Sequence, residues 1–109
     1  MTDYADVMPV RGWTIHLADG SRILVELHTN RSRTEVFAVV LVSEIDGAQV
    51  CITRYDTAHD QPHRDVLGRR GGLIEKEWLL LSKKNEAFDY ALKDVRTNHE
   101  RYIEYYLAH

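Results

Sequence analysis

The chain has one cysteine and two prolines in 109 residues, and it lacks any long apolar run or block of like charge. Each absence excludes something. Cys51 has no partner for an intramolecular disulfide, so the fold must be held by its core and suits a reducing compartment. The first ten residues carry Asp3 and Asp6 and have no cationic start followed by an apolar stretch, so they do not read as a secretion signal. The longest apolar run, residues 36–42, is far shorter than the roughly 20 residues of a membrane span. The expectation is a soluble cytoplasmic protein without a membrane partner.

A formal charge of -3 argues against coating nucleic acid through bulk electrostatics but leaves room for a local basic site. With 44% hydrophobic and 28% charged residues the composition is that of an ordinary globular protein, neither disordered nor fibrous. A chain of this length fits one domain, 1–109, whose folding removes roughly two thirds of its extended surface from water.

Two hairpins stand out. Trp13, Ile15 and Leu17 alternate with polar residues, Asp19-Gly20 accepts the positive φ of a turn, and Ile23, Val25 and Leu27 resume the alternation on one face. Residues 29–33 are polar and basic and read as a loop. Residues 35–45 are too continuously apolar for a one-sided strand and belong in the middle of the sheet. Asp46-Gly47 marks the second hairpin, and residues 48–56 return with Val50 and Ile52 on one face and Cys51, Thr53 and Tyr55 on the other. Leu73, Trp78 and Leu80 mark an irregular fifth strand over residues 73–81. Ser82 is the expected cap of a final helix over residues 83–107, with Phe88, Leu92, Val95, His99, Tyr102 and Tyr106 forming its apolar stripe.

The predicted fold is α+β, an antiparallel meander of about five strands with one long C-terminal helix packed on one face. One helix covers one face. The two-sided apolarity of residues 36–42 leaves surface for a second copy, making a homodimer, or for the N-terminal segment and long loops.

Chemistry concentrates in residues 54–72, read as a single loop holding two histidines, four arginines, three aspartates and a tyrosine. If the strands form a meander, Arg11, Arg31 and Arg33 approach this loop and give an acidic protein a positive rim suited to an anionic ligand. His59 and His63 can divide the acid and base roles of phosphodiester transfer if the backbone turns at Asp60 and Pro62. Arg54 and Arg64 then hold phosphate, joined by Arg31 and Arg33, and Asp56 or Asp65 orients an imidazole. Tyr55 stacks on a base or donates a hydrogen bond.

Metal chemistry competes. His59 and His63 with Asp56 or Asp65 supply three ligands, but there is no cysteine ligand or His-Glu-x-x-His box, and Pro62 breaks the helix that their spacing would suit. No metal or cofactor is assigned. Arg69-Arg70-Gly71-Gly72 lacks the Lys-Ser/Thr ending of a phosphate loop and precedes a strand. Cys51 reads as a small buried hydrophobe and His99 as an interior histidine, while Tyr102, Tyr105 and Tyr106 read as core and interface.

The Arg54-Tyr55-Asp56 start followed closely by histidines resembles the box of small bacterial TumE-like toxins of toxin–antitoxin pairs. A closer group, sharing Arg54-Tyr55-Asp56-Thr57-Ala58-His59, Pro62-His63-Arg64-Asp65, a Lys76-x-Trp78-Leu79 strand and a long final helix, is a family of unknown function. The TumE-like resemblance implies a growth-inhibiting toxin acting on RNA and held inactive by an antitoxin with a helix-turn-helix domain. It touches Arg54, Tyr55, Asp56, His59 and His63. Thr57 stands here where the TumE-like pattern has asparagine. A ribonuclease using the loop without metal is the leading expectation, a noncatalytic interaction module that dimerises or binds a protein the second, and a metal-binding protein the third.

Overall fold

The computed structural model describes residues 10–57 and 61–109, which form six strands and one helix. The strands are β1 (Val10–His16), β2 (Arg22–Asn30), β3 (Arg33–Ile45), β4 (Ala48–Asp56), β5 (His63–Gly68) and β6 (Gly72–Trp78), and α1 spans Lys84–Ala108. They pair antiparallel in the order β1-β2-β3-β4-β5-β6, the predicted meander with one more strand than expected.

Local chemistry explains the hairpins. The β3–β4 turn is two residues long, with Asp46 at φ 52 and Gly47 at φ 82, the doubly left-handed geometry that matches the twist of the flanking strands. Residues 29–33 are not a loop. β2 runs to Asn30, which pairs with Arg33, leaving Arg31 (φ 52) and Ser32 (φ 66) as a turn of the same kind built from two residues with side chains. That signal is hidden because neither residue favours positive φ.

The core lies between the sheet and α1. Ile23, Val25 and Leu27 of β2 and Phe37, Val39 and Leu41 of β3 face Ala87, Phe88, Ala91 and Val95 of the helix. Phe88 meets Phe37 edge-on at 5.6 Å and Trp13 at 6.3 Å, while alanines at positions 87 and 91 let the helix approach the sheet closely. Each large side chain buried here stabilises by roughly 1.5–3 kcal/mol. The expected stripe of Phe88 and Val95 is buried, with Leu92, Tyr102 and Tyr106 packed at its margins. The helix opens at Lys83, which is extended and makes no side-chain cap, so Ser82 is not the cap.

One register shift reassigns a face. Leu41 pairs with Thr53 and Val42 with Cys51, so Ile52 is the extra residue of a bulge. Val50, Thr53 and Tyr55 therefore share the core face, with Ile52 also in the core, and of these five residues Cys51 alone points away. The predicted split of Val50 and Ile52 from Thr53 and Tyr55 is thus corrected. Alternation cannot register a bulge, because an inserted residue shifts its phase by one.

The larger correction concerns residues 54–72. They are not one loop: β4 ends at Asp56, a short connection follows, and His63–Gly68 is a strand paired on both sides. The final strand stops at Trp78, earlier than the expected end at residue 81. Among the described residues, no helix is long and apolar enough to cross a membrane.

Candidate functional site

The meander aligns three strands so that Arg54 lies opposite Asp65, which lies opposite Lys76, and in the next row Asp56 lies opposite His63, which lies opposite Trp78. Alternation puts all six on the sheet face away from the helix. Two rows of polar residues thus meet by pairing across β4, β5 and β6.

Asp65 is the centre. Its Oδ2 accepts from Arg54 Nε at 2.6 Å and its Oδ1 from Lys76 Nζ at 2.9 Å, at a side-chain exposure of 1%. Burial alone pushes its carboxyl up, but the hydrogen bonds and charges of Lys76 and Arg54 outweigh that and hold it below the ordinary aspartate value. Its backbone carbonyl accepts from Thr53 Oγ1 at 2.8 Å.

His63 is equally enclosed. Nδ1 lies 3.1 Å from Gln61 O, which fixes it as the protonated nitrogen and leaves Nε2 facing the cluster. Nε2 lies 3.1 Å from Asp56 Oδ1, 3.4 Å from Lys76 Nζ and 3.6 Å from Asp65 Oδ1. A neutral ring accepts from Lys76, and a protonated ring donates to Asp56. Trp78 covers the imidazole at 4.9 Å between ring centres.

The cluster has two formal cations, Arg54 and Lys76, against two carboxylates, Asp56 and Asp65. Asp56, His63 and Asp65 present ligand atoms within 4.8 Å of one another, a spacing that could hold a metal ion. The Lys76 ammonium already stands within 3.4 Å of both His63 Nε2 and Asp65 Oδ1, so an ion there would have to displace it.

The predicted site is thus divided. His59 lies outside the described residues, so its pairing with His63 does not enter the geometry. Arg54, Asp56, His63 and Asp65 are brought together. Tyr55 and Arg64 are on the opposite face, so Arg54 and Arg64 do not close on one phosphate. Tyr55 Oη donates to Asp94 Oδ2 at 2.7 Å, and Tyr102 and Asn98 donate to the same carboxylate. Burial first, then the Asp94 contact, pushes both phenols well above their ordinary value. Arg64 donates to Thr53 Oγ1 at 3.0 Å, pairs with Glu77 at 2.6 Å and lies 4.5 Å over the Tyr102 ring. The predicted base-stacking tyrosine is a clasp between sheet and helix.

The basic rim is also dispersed. The β2–β3 hairpin overshoots the end of β4, because Ala38 rather than Arg33 pairs with Asp56. Five residues of strand carry Arg33 about 17 Å beyond the cluster. Arg33 instead lines a cleft of about 540 Å³ with Lys83 and Lys84, while Arg31 is exposed in the turn and Arg11 sits on the far edge strand. Arg69 is at the opposite end of the sheet, paired with Asp46.

Sequence reading missed Lys76 and Trp78 as partners of the loop residues. Their period-two spacing in a strand was an available signal. His99, expected as an interior histidine, is partly buried and reaches Asp19 at 3.4 Å.

No curated protein and no solved structure matches the chain. A family model described as a domain of unknown function, DUF7718, matches residues 2–109, and the chain belongs to that family.

Proposed function

We propose that this protein is a noncatalytic interaction module that pairs with a second copy through the sheet face opposite the helix. The observation that carries the reading is the enclosure of His63 and Asp65, each 1% exposed, in a charge-balanced network whose hydrogen bonds are made within the protein. A catalytic imidazole has to reach its substrate. This one stiffens the β4–β6 end of the sheet, where loss of a single partner strands a buried charge.

Beside the network the same face carries an apolar stripe along β3, with Leu24 of β2 next to it. Leu24 and Val36 are each 38% exposed, and Ala38, Val40 and Val42 are half-buried. Strand register puts Arg22 opposite Val42, Leu24 opposite Val40 and Glu26 opposite Ala38. A two-fold axis running across the strands through Leu24 and Val40 stacks apolar residues at its centre and sets Glu26 of each copy against Arg22 of the other. Light scattering tests this directly. A dimeric mass for the wild type and a monomeric mass for Leu24→Glu/Val40→Glu, with unchanged circular dichroism, is the expected result. A monomeric wild type at high concentration overturns it.

A second reading keeps a toxin-like ribonuclease, supported by the fixed Nδ1 tautomer of His63 and the position of its Nε2 beside Lys76 and Asp56. Its partners would be RNA and an antitoxin protein. Induction of the wild type in bacteria beside Lys76→Met and Arg54→Gln variants, with total RNA examined, tests it. Arrest and RNA fragmentation by the wild type alone support the second reading, and equal growth of all three sinks it for the RNA of that host.

A further inference from the structure

We propose that the outer edge of β6 is a docking site for an extended peptide with a basic residue opposite Glu75. β6 is the last strand of the sheet, its outer edge pairs with no strand among the described residues, and all seven of its residues are exposed. An edge of this kind offers a row of backbone donors and acceptors to an added strand.

The helix shapes the approach. Its main sheet contacts are with β3, β4 and β5, so β6 projects beyond its cover. Between them lies a cleft of about 270 Å³, with Val66 at its base, Tyr102 and Tyr105 on the helix side and Glu75 and Glu77 on the strand side. A strand added along β6 directs every second side chain toward this cleft.

Charge selects the guest. Glu77 is paired with Arg64 at 2.6 Å, whereas Glu75 makes no ion pair among the described residues. A cation opposite Glu75 gains a cross-strand charge partner. Arg101 lines the helix side of the same cleft, which restricts that cation to the strand side.

The same charges disfavour a second β6 in the registers centred on Glu75 or Lys76. An antiparallel pairing centred on Glu75 opposes two Glu75 residues, and one centred on Lys76 opposes two lysines and sets Glu75 against Glu77. A foreign basic strand avoids both conflicts. The docking edge is separate from the open face proposed for self-association, so the two tests are independent.

The probes are two fluorescein-labelled seven-residue peptides of alternating threonine and valine, with lysine or glutamate at the centre. Anisotropy titration of the full chain is expected to show the lysine peptide binding about tenfold tighter, a difference of about 1.4 kcal/mol. Glu75→Lys is expected to reverse the order, and this exposed substitution leaves the fold intact by circular dichroism. Amide shifts on binding should fall on β6. Equal binding of the two peptides, no binding of either, an unchanged order in Glu75→Lys, or shifts confined to β1 or the open face would each overturn the proposal.

Discussion

Lys76 of β6 donates to Asp65 of β5 at 2.9 Å, and the aspartate that receives it is 1% exposed. The pair is cross-strand and on the face away from the helix, so the lysine stem lies along the sheet while its ammonium closes the cluster over His63. Lys76→Met retains most of the stem but leaves Asp65 with Arg54 as its remaining cation. A loss of about 1–2 kcal/mol is expected, measured by urea denaturation, because a hydrogen bond to a charged group is worth roughly that much when one partner is half-exposed.

Acid should weaken the same centre. The native pKa of Asp65 is lowered, so its contribution to stability is present above the unfolded aspartate value of about 3.9 and is lost as pH falls through the lower native value. Wild type is expected to be more stable than Asp65→Asn at neutral pH. The gap should narrow steadily below about pH 4, where protonation begins to remove the charge from the wild type as well. A gap that stays constant from neutral pH into this acid range would show that Asp65 acts by shape rather than charge.

On the other face, Asp94 is the acceptor that joins helix to sheet. Asp94→Ala leaves the Tyr55 hydroxyl buried without its partner and is expected to cost about 2–3 kcal/mol, whereas Tyr55→Phe removes the donor together with its need and should cost about 1 kcal/mol. Thermal melts of the two variants give the comparison, and equal losses would contradict the clasp.

The Arg31-Ser32 turn stores strain that a substitution can release. Both residues have positive φ, and glycine removes the left-handed penalty of roughly 1 kcal/mol at the second position. Ser32→Gly is expected to raise the melting temperature by roughly 4–8 °C for each kcal/mol gained. An unchanged or lower value would mean that glycine's extra freedom in the unfolded chain offsets the relief.

What the amino-acid order determined by itself was whatever depends on near neighbours. Ile23, Val25 and Leu27 alternate because one face of β2 is buried, Asp46-Gly47 turns because its backbone tolerates positive φ, and Phe88 and Val95 recur at a helical interval. These signals specify a meander under a helix, and the fold shows it with a sixth strand added.

Tertiary structure decided the site. His63-Arg64-Asp65 looks like loop because charged residues in a strand are ordinarily exposed, yet here Asp65 is buried by partners 11 residues away in each direction, Arg54 and Lys76. Whether two arginines share a face depends on strand register, and a bulge at Ile52 shifts the face of every β4 residue that precedes it. Local periodicity carries no distance between residues on different strands. Pairing of β4, β5 and β6 supplied that distance, separating Arg54 from Arg64 and enclosing His63 beneath Trp78.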